Sequence, residues 1–512
     1  MHAKIISATA VGIQAQLIEV EVDISFGIIN FFIVGLPDTA VKESTKRIST
    51  ALKNSGFRLP PKRITVNLAP ADVKKEGTLF DLPIALGILL ANEDLALDPL
   101  FLKETMFLGE LSLDGSIRSI KGALAIASDA QMLGIKRMIV PAANAQEAAL
   151  IQTIEIIGVE HITQLVAYLK NEITIARAQA PCSSNPKAAS MLDFAQVKGQ
   201  MLAKRALQIA AAGRHNILFI GPPGSGKTML AQRLPSIMPS MSFDEVLQTS
   251  KVYSISGKLG TQALITQRPF RAPHHTISQA GLVGGGSFPQ PGEISLAHHG
   301  ILFLDELTEF KRHTLEVLRQ PLEHKQVHLA RAQQSLTFPA SFLLVAALNP
   351  CPCGYWGDKK RTCNCAPHQI GKYIEKLSGP LLDRIDLQVT IQSVSYDDIT
   401  TAPALHQSSA DLYQNVQKAV HAQSQRFQST LHYNSDMTSD DVDRYCKPTP
   451  DAQEIVKKAF DVLRLSMRGY HKLLKIARTI ADLQSAPDID VPHVKEALLY
   501  RSLDQSLEAQ RQ

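Results

Sequence analysis

The sequence has few cysteines, little net charge and no long apolar run, and each shortage removes a class of protein. No uninterrupted apolar stretch approaches the roughly 18 residues that suggest a membrane span, so no membrane partner is expected. Six cysteines in 512 residues, four of them crowded between Cys351 and Cys365, suggest a metal site in a reducing compartment and not a disulfide framework. The net charge of +5 is too small to establish a polyanionic partner, and it permits one only if the positive charge is localised. A secretory leader is not expected either. MHAKIISATAVGIQAQ places one Lys before a mildly apolar segment, but it runs straight into LIEVEVDIS, an alternating strand that cleavage would cut away. A cytoplasmic protein follows as the expectation. The length implies two or three domains.

The most informative stretch is NILFIGPPGSGKT, residues 216–228. Four apolar residues lead into Gly221, Pro222, Pro223, Gly224, Ser225, Gly226, Lys227 and Thr228, and a helical MLAQRL follows. This is a Walker A loop between a buried strand and a helix. Its backbone N–H groups and the helix dipole suit a polyphosphate. Lys227 is expected to reach the β- and γ-phosphates of ATP, and Thr228 to sit on Mg²⁺.

Such a loop needs an acidic partner, and GILFLDE supplies one. Asp305 is expected to order the magnesium water shell and Glu306 to act as general base toward the lytic water. The next apolar run, SFLLVAAL, ends in Asn349, where a polar side chain can contact the γ-phosphate and the water. Farther on, SGPLLDRIDL carries Arg384. It is either a finger acting across a subunit boundary or an intrachain partner of Asp383 or Asp386.

Cys351, Cys353, Cys363 and Cys365 form C-x-C, nine residues, C-x-C directly after Asn349. Four thiolates bind Zn²⁺ tetrahedrally, and two such pairs can close a structural site, although the usual spacing is C-x₂-C. The pairs His274-His275 and His298-His299 are set aside as ligands, because neighbouring residues on a strand point to opposite faces and no carboxylate cluster is evident. Cys182 reads as an incidental thiol and Cys446 as a structural one.

Alternating strands and helices make residues 1–175 an α+β domain. Residues 176–191 are small, Pro- and Ser-containing, and read as a linker. Residues 192–395 form the α/β motor with its parallel sheet and four-cysteine loop, and residues 396–512 a small helical lid. DFAQVKGQMLAKRALQIAAAGRHN is read as an Asp193 N-cap followed by an amphipathic helix ending near Gly213.

Several segments carry a resemblance. VNLAPADVKKEGTLFDLPIALGIL, FLGELSLDGSIRSIKGALAIA and GIKRMIVPAANAQEA look like the ribosomal-protein-like proteolytic domain of Lon-type peptidases, which use a Ser/Lys dyad. Here Leu79 falls at the Ser position and Ala123 or Leu124 at the Lys position. The resemblance therefore implies a domain without peptidase chemistry. The order of motor motifs matches the AAA+ ATPases, and the segment RPFRAPHHTISQAGLVGGGSFPQPGEISLAHHG resembles the insertion of their magnesium-chelatase-like branch. In those relatives a hairpin before the Asn sensor projects into a ring pore. Here that hairpin is QVHLARAQQSLTF, with Arg331 near its tip and available to DNA phosphates. Arg468 occupies the position that resembles the second sensor, contacting the γ-phosphate from the lid; Arg478 is its competitor.

With these features in one chain, the sequence closely resembles the YifB/ComM family of bacterial ATPases. The resemblance implies a homohexameric ring that encircles DNA, single-stranded or branched, and drives branch migration. In that role it would extend the incorporation of incoming single strands during homologous recombination in natural transformation, alongside recombination proteins. Two other clients stay open: a metal-chelatase complex, and a protein substrate of an ATP-dependent protease or unfoldase.

Overall fold

The computed structural model describes residues 2–75, 77–180, 192–260, 264–286, 289–330, 335–358, 360–393, 407–429 and 432–501. They fall into two compact units. One comprises Met1–Pro186, Val246–Ile265 and Ala330–Phe338, the other Lys187–Glu245, Thr266–Leu329 and Pro339–Gln512. Among the described residues no helix is long and apolar enough to cross a membrane.

The first unit is α+β and centres on seven strands. These are β1 (His2–Val11), β2 (Gln14–Ser25), β3 (Asn30–Val34), β4 (Arg63–Ala69), β5 (Thr105–Phe107), β6 (Arg137–Pro141) and β7 (Glu155–Val159). Their order in the sheet is β3-β4-β2-β1-β5-β6-β7. β2 is antiparallel to β1 and β4, and the outer pairings are parallel. The alternation visible in LIEVEVDI buries Ile18, Val20, Val22 and Ile24 on one face, as a period of two requires. Helix α1 (Thr39–Asn54) starts where the Asp38 side chain accepts the Val41 N–H, a standard N-cap. Helix α2 (Asp81–Ala91) is apolar all round and buried along nearly its whole length. At Gly87 a β-carbon would lie 2.5 Å from Val22 Cγ2, so this close approach of helix to sheet needs glycine. Helix α3 (Ala123–Ala130) adds Ala123 and Leu124 to the buried interior.

The second unit is α/β with a helical C-terminal region. Its sheet is wholly parallel, ordered β9-β10-β11-β8-β12, where β8 is Ile217–Ile220, β9 Phe270–Arg271, β10 Ile301–Leu304, β11 Leu343–Leu348 and β12 Leu387–Thr390. Strands buried on both faces read as unbroken apolar runs, and β8, β10 and β11 are buried at every position. Helix α4 (Met201–Gly213) leads into β8. Asp193 does not cap it: its side chain accepts the Ala195 N–H at 2.7 Å and so caps a separate short turn over Phe194–Gln196. Gln200, in the left-handed region at φ 56°, then redirects the chain into α4.

Helix α5 (Lys227–Arg233) follows the glycine-rich loop, and α6 (Pro367–Ile374) follows the cysteine pairs. The helical region contains α7 (Ser409–Phe427), α8 (Pro450–Val462), α9 (Met467–Leu483) and α10 (Val491–Leu499). One apolar core runs from Phe219 and Val345 on the sheet through Leu207 of α4 to Leu412, Leu473, Ile480 and Val494. The expected lid thus shares its core with the motor sheet.

Candidate active site

Parallel register decides where the motifs meet. Ile220 pairs with Leu348 and Leu304 with Ala346, so the residues after β8, β10 and β11 leave the sheet at one edge. Ligands of open parallel sheets bind at this carboxyl edge. The loop 221–226, Asp305 and Glu306, and Asn349 are brought together there.

The loop's conformation follows from its glycines. Gly224 (φ 75°) and Gly226 (φ 89°) occupy the left-handed region, which costs other residues about 1–2 kcal/mol. Gly221 serves a different purpose: a β-carbon there would lie 2.4 Å from the Ile391 carbonyl oxygen. Lys227 Nζ donates to the carbonyls of Gly221 (2.7 Å) and Pro222 (2.9 Å) and to Asn349 Oδ1 (3.2 Å). Burial lowers the pKa of its ammonium, while Asp305 and Glu306 oppose that shift. Thr228 Oγ1 donates to Asp305 Oδ2 at 2.7 Å, so the two expected magnesium residues are adjacent. The Ser225 hydroxyl is buried and finds no hydrogen-bond partner among the described residues. An unpaired buried donor is costly, and a phosphate oxygen is the partner that this loop can accept. The donor set thus fits a nucleotide polyphosphate with Mg²⁺.

Glu306 is exposed and sits at φ 50°, ψ 50°, an unusual place for a non-glycine residue. Its Oε2 lies 3.5 Å from His275 Nδ1. Sequence reasoning missed this neighbour, because the only signal was a histidine pair dismissed as a ligand. The ground for that dismissal is corrected by the structure. Neither pair lies in a strand, so the alternation rule does not apply, and the rings are side by side, with centroids 4.0 Å apart at His274-His275 and 3.8 Å at His298-His299. His299 lies 3.3 Å from Glu245, which also holds Arg214 (2.9 Å) and Arg268 (3.0 Å) in a buried cluster. Burial, with Arg214 and Arg268 close by, pushes the His299 pKa down to about 3, and burial with His299 beside it holds His298 well below its ordinary value.

Arg384 and Arg468 are not brought to this loop. Asn216, which precedes β8, donates from Nδ2 to the Arg384 carbonyl at 3.0 Å, placing Arg384 at the opposite end of that strand. The four residues of β8 span roughly 13 Å at about 3.3 Å each. Arg384 pairs with neither Asp383 nor Asp386: its Nη2 donates to Glu323 Oε2 at 2.7 Å. Arg468 donates to the other oxygen of Glu323. The hydrogen bond from Arg384, offset by slight burial and reinforced by Arg468, holds the Glu323 carboxyl below its ordinary range. Both arginines line a cavity of about 170 Å³ with Arg214, Lys472 and Lys475. The expectation that Arg468 reaches its own loop from the lid is therefore not met, because the lid packs at the other end of β8. Arg478 is 3 % exposed and bonded to Ala486, Pro487 and Asp482, so it is committed to the interior.

The four cysteine sulfurs lie within 4.8 Å of one another. The hairpin arms are strands Gln326–Ala330 and Ser335–Pro339; Arg331 falls outside the described residues, as does Cys182. At the Lon-like positions, Leu79 packs against the apolar core and Ala123 and Leu124 are buried. The nearby Thr78 hydroxyl donates to the Glu110 carboxylate and not to the lysine amine that a dyad requires.

Three family models together match most of the chain. Residues 193–399 match magnesium chelatase, subunit ChlI; residues 20–144 match subunit ChlI of Mg-chelatase; and residues 406–501 match magnesium chelatase, subunit ChlI C-terminal. The chain is 42% identical over 505 residues to competence protein ComM of Haemophilus influenzae, covering 98% of this chain and 97% of that protein. It is 42% identical over 499 residues to YifB of Salmonella typhimurium, covering 97% and 96%. It is 28% identical over 152 residues to Lon protease 2 of Bacillus subtilis, covering 28% and 27%.

Proposed function

The chain belongs to the YifB/ComM family of magnesium-chelatase-like AAA+ ATPases, and on that premise we propose that it is a ring-forming ATP-driven motor acting on DNA. One observation carries the reading: Lys227, Thr228, Asp305, Glu306 and Asn349 converge at one end of the sheet, whereas Arg384 and Arg468 gather at the other. A subunit so built holds a nucleotide with one face and offers two guanidinium groups with the other. Rings complete their sites by pairing such faces.

Thr228 and Asp305 would hold Mg²⁺, which would supply neutralisation of the phosphate charge. The chain's own groups do the rest. Lys227 turns from loop carbonyls to phosphate, Glu306 accepts a proton from water, Asn349 orients that water, and Arg384 and Arg468 act on a neighbouring subunit's phosphate. Lys227→Ala should abolish nucleotide binding, and Glu306→Gln should bind ATP without turning it over.

The competence relative supports a DNA client. The finer reading is a cytoplasmic homohexamer that drives branch migration on single-stranded and branched DNA beside recombination proteins, with Zn²⁺ at the four cysteines. The test is ATP hydrolysis with and without such DNA at low and high salt. Several-fold stimulation that salt abolishes supports the reading, since phosphate contacts release counterions. A rate indifferent to DNA but raised by chelatase partner subunits would favour the chelatase client, for which the three ChlI matches speak. Leu79 with Ala123 or Leu124 argues against a protease.

A further inference from the structure

The cysteine cluster touches the candidate nucleotide site on two sides. Cys351, Cys353 and Cys363 have sulfur separations of 3.3, 3.5 and 3.7 Å, and Cys365 lies within the same 4.8 Å group. Four sulfurs at about 2.3 Å from one zinc lie roughly 3.8 Å apart, so shifts of about an ångström or less suffice to close the site. Two backbone N–H groups, of Trp356 and Cys365, donate to Cys351 Sγ (3.3 Å) and Cys363 Sγ (3.4 Å); bonds of this kind orient metal ligands. Ile370 and Ile374 of α6 pack on Cys351, with Trp356 alongside.

The first link runs through Gly354. It sits at φ 86°, and a β-carbon there would lie 2.7 Å from Cδ and 2.9 Å from Cγ of Pro223 in the phosphate loop. The second link runs through α6, which begins two residues after Cys365. Thr308, two residues beyond Glu306, donates its hydroxyl to Tyr373 Oη at 2.5 Å, and Lys376 Nζ donates to the Thr308 carbonyl at 3.3 Å. The loop that cradles phosphate and the turn that carries Glu306 are thus both braced by the segment that the cysteines fold.

We propose that Cys351, Cys353, Cys363 and Cys365 bind one Zn²⁺ and that this metal knot holds the phosphate loop and the Glu306 turn in register, so that zinc and nucleotide occupancy are linked. The coupling half rests on the nucleotide-site reading above; the zinc half does not. Linkage is reciprocal. If zinc orders the loop, nucleotide on the loop must tighten zinc binding, which extraction reads as slower loss of zinc.

The experiment measures zinc extraction by a chromogenic chelator from the full-length protein, with and without saturating ADP or a non-hydrolysable ATP analogue. Trp356, the chain's one tryptophan, reports the knot by its fluorescence, and metal analysis gives the stoichiometry. One zinc per chain is expected, lost in Cys363→Ser/Cys365→Ser. Nucleotide should slow extraction by about 5-fold or more in the wild type and leave it unchanged in Lys227→Ala. Gly354→Ala keeps all four ligands, so it should retain zinc and its fluorescence yet bind nucleotide more weakly and lose the protection. Tyr373→Phe should retain zinc and lower kcat with KM unchanged.

A wild type purified with zinc available but holding none overturns the metal site. A zinc-loaded protein that binds nucleotide but releases zinc at one rate regardless overturns the coupling. If no nucleotide binds at all, the nucleotide-site reading fails, and hydrogen exchange of residues 221–228 before and after zinc removal decides the coupling: faster exchange supports it and unchanged exchange refutes it.

Discussion

Replacing Glu306 with glycine should make the protein inactive and yet more stable than the matching alanine variant. Glu306 holds φ 50°, ψ 50°, a conformation that costs an L-residue about 1–2 kcal/mol and glycine little. Glycine in turn raises the entropy of the unfolded chain, which takes back about 0.5–1 kcal/mol. The contact with His275 is half-exposed and contributes less than about 1 kcal/mol. Glu306→Ala isolates that contact, because it removes the carboxylate and keeps the β-carbon. Relative to Glu306→Ala, Glu306→Gly should gain about 0.5–1 kcal/mol, a rise in melting temperature of roughly 1–4 °C at the usual 2–4 °C per kcal/mol for a large unit. Turnover should fall about 10²- to 10⁴-fold, as loss of a general base does, with ATP binding retained. Thermal unfolding and steady-state hydrolysis of the two variants decide the matter. If the glycine variant melts no higher than the alanine one, the backbone is not strained there. If it hydrolyses ATP at the wild-type rate, Glu306 is not the base.

Further outcomes follow from the same geometry. Glu245→Ala leaves Arg268 and Arg214 as buried, uncompensated cations and should cost about 3–5 kcal/mol, measured by denaturant unfolding; a loss under about 1 kcal/mol would show that the cluster relaxes. His298 and His299 are held neutral in the fold, with pKa values below the unfolded 6.5. The unfolded chain therefore binds more protons, and stability should fall as pH drops below 6.5, by about 1.4 kcal/mol per unit for each histidine. His299→Gln should flatten that slope. Lys227→Ala and Arg384→Ala subunits, each inactive alone, should recover about a quarter of wild-type activity when mixed in equal amounts, if arginine acts across the boundary; no recovery in mixed assemblies would return Arg384 to an intrachain role.

What was legible in the sequence was local. Residues 221–228 declare themselves because glycines, lysine and threonine must stand at fixed offsets in one turn. The 304–306 and 348–349 segments could be read because buried parallel strands end abruptly in polar residues. What was not legible depends on strand polarity and on packing between distant segments. Arg384 stands out within SGPLLDRIDL, yet only the pairing of β8 with β12 puts it at the far edge from Lys227. The meeting of Arg384 with Arg468 on Glu323 joins residues 145 apart in sequence and leaves no pattern. The histidine pairs were judged by strand alternation although they sit outside strands. Gly354 reads as an ordinary loop glycine until Pro223 is found against it. Of the Lon-like segments, half-buried Leu79 packs against the apolar core where a dyad would need its nucleophile, and Arg47 spans Asp81 of the same motif with two bonds (2.9 and 3.1 Å). Burial pushes Asp81 up to about 6, and the pairing with Arg47 opposes that shift.

The most direct test of the motor reading is a branch-migration assay. A synthetic three-stranded or four-way junction with one labelled arm is incubated with the protein, Mg²⁺ and ATP, and the labelled products are resolved over time. ATP-dependent conversion of the junction by the wild type, absent without ATP and absent with Glu306→Gln, is the predicted result. A protein that hydrolyses ATP yet leaves every junction intact would contradict the account.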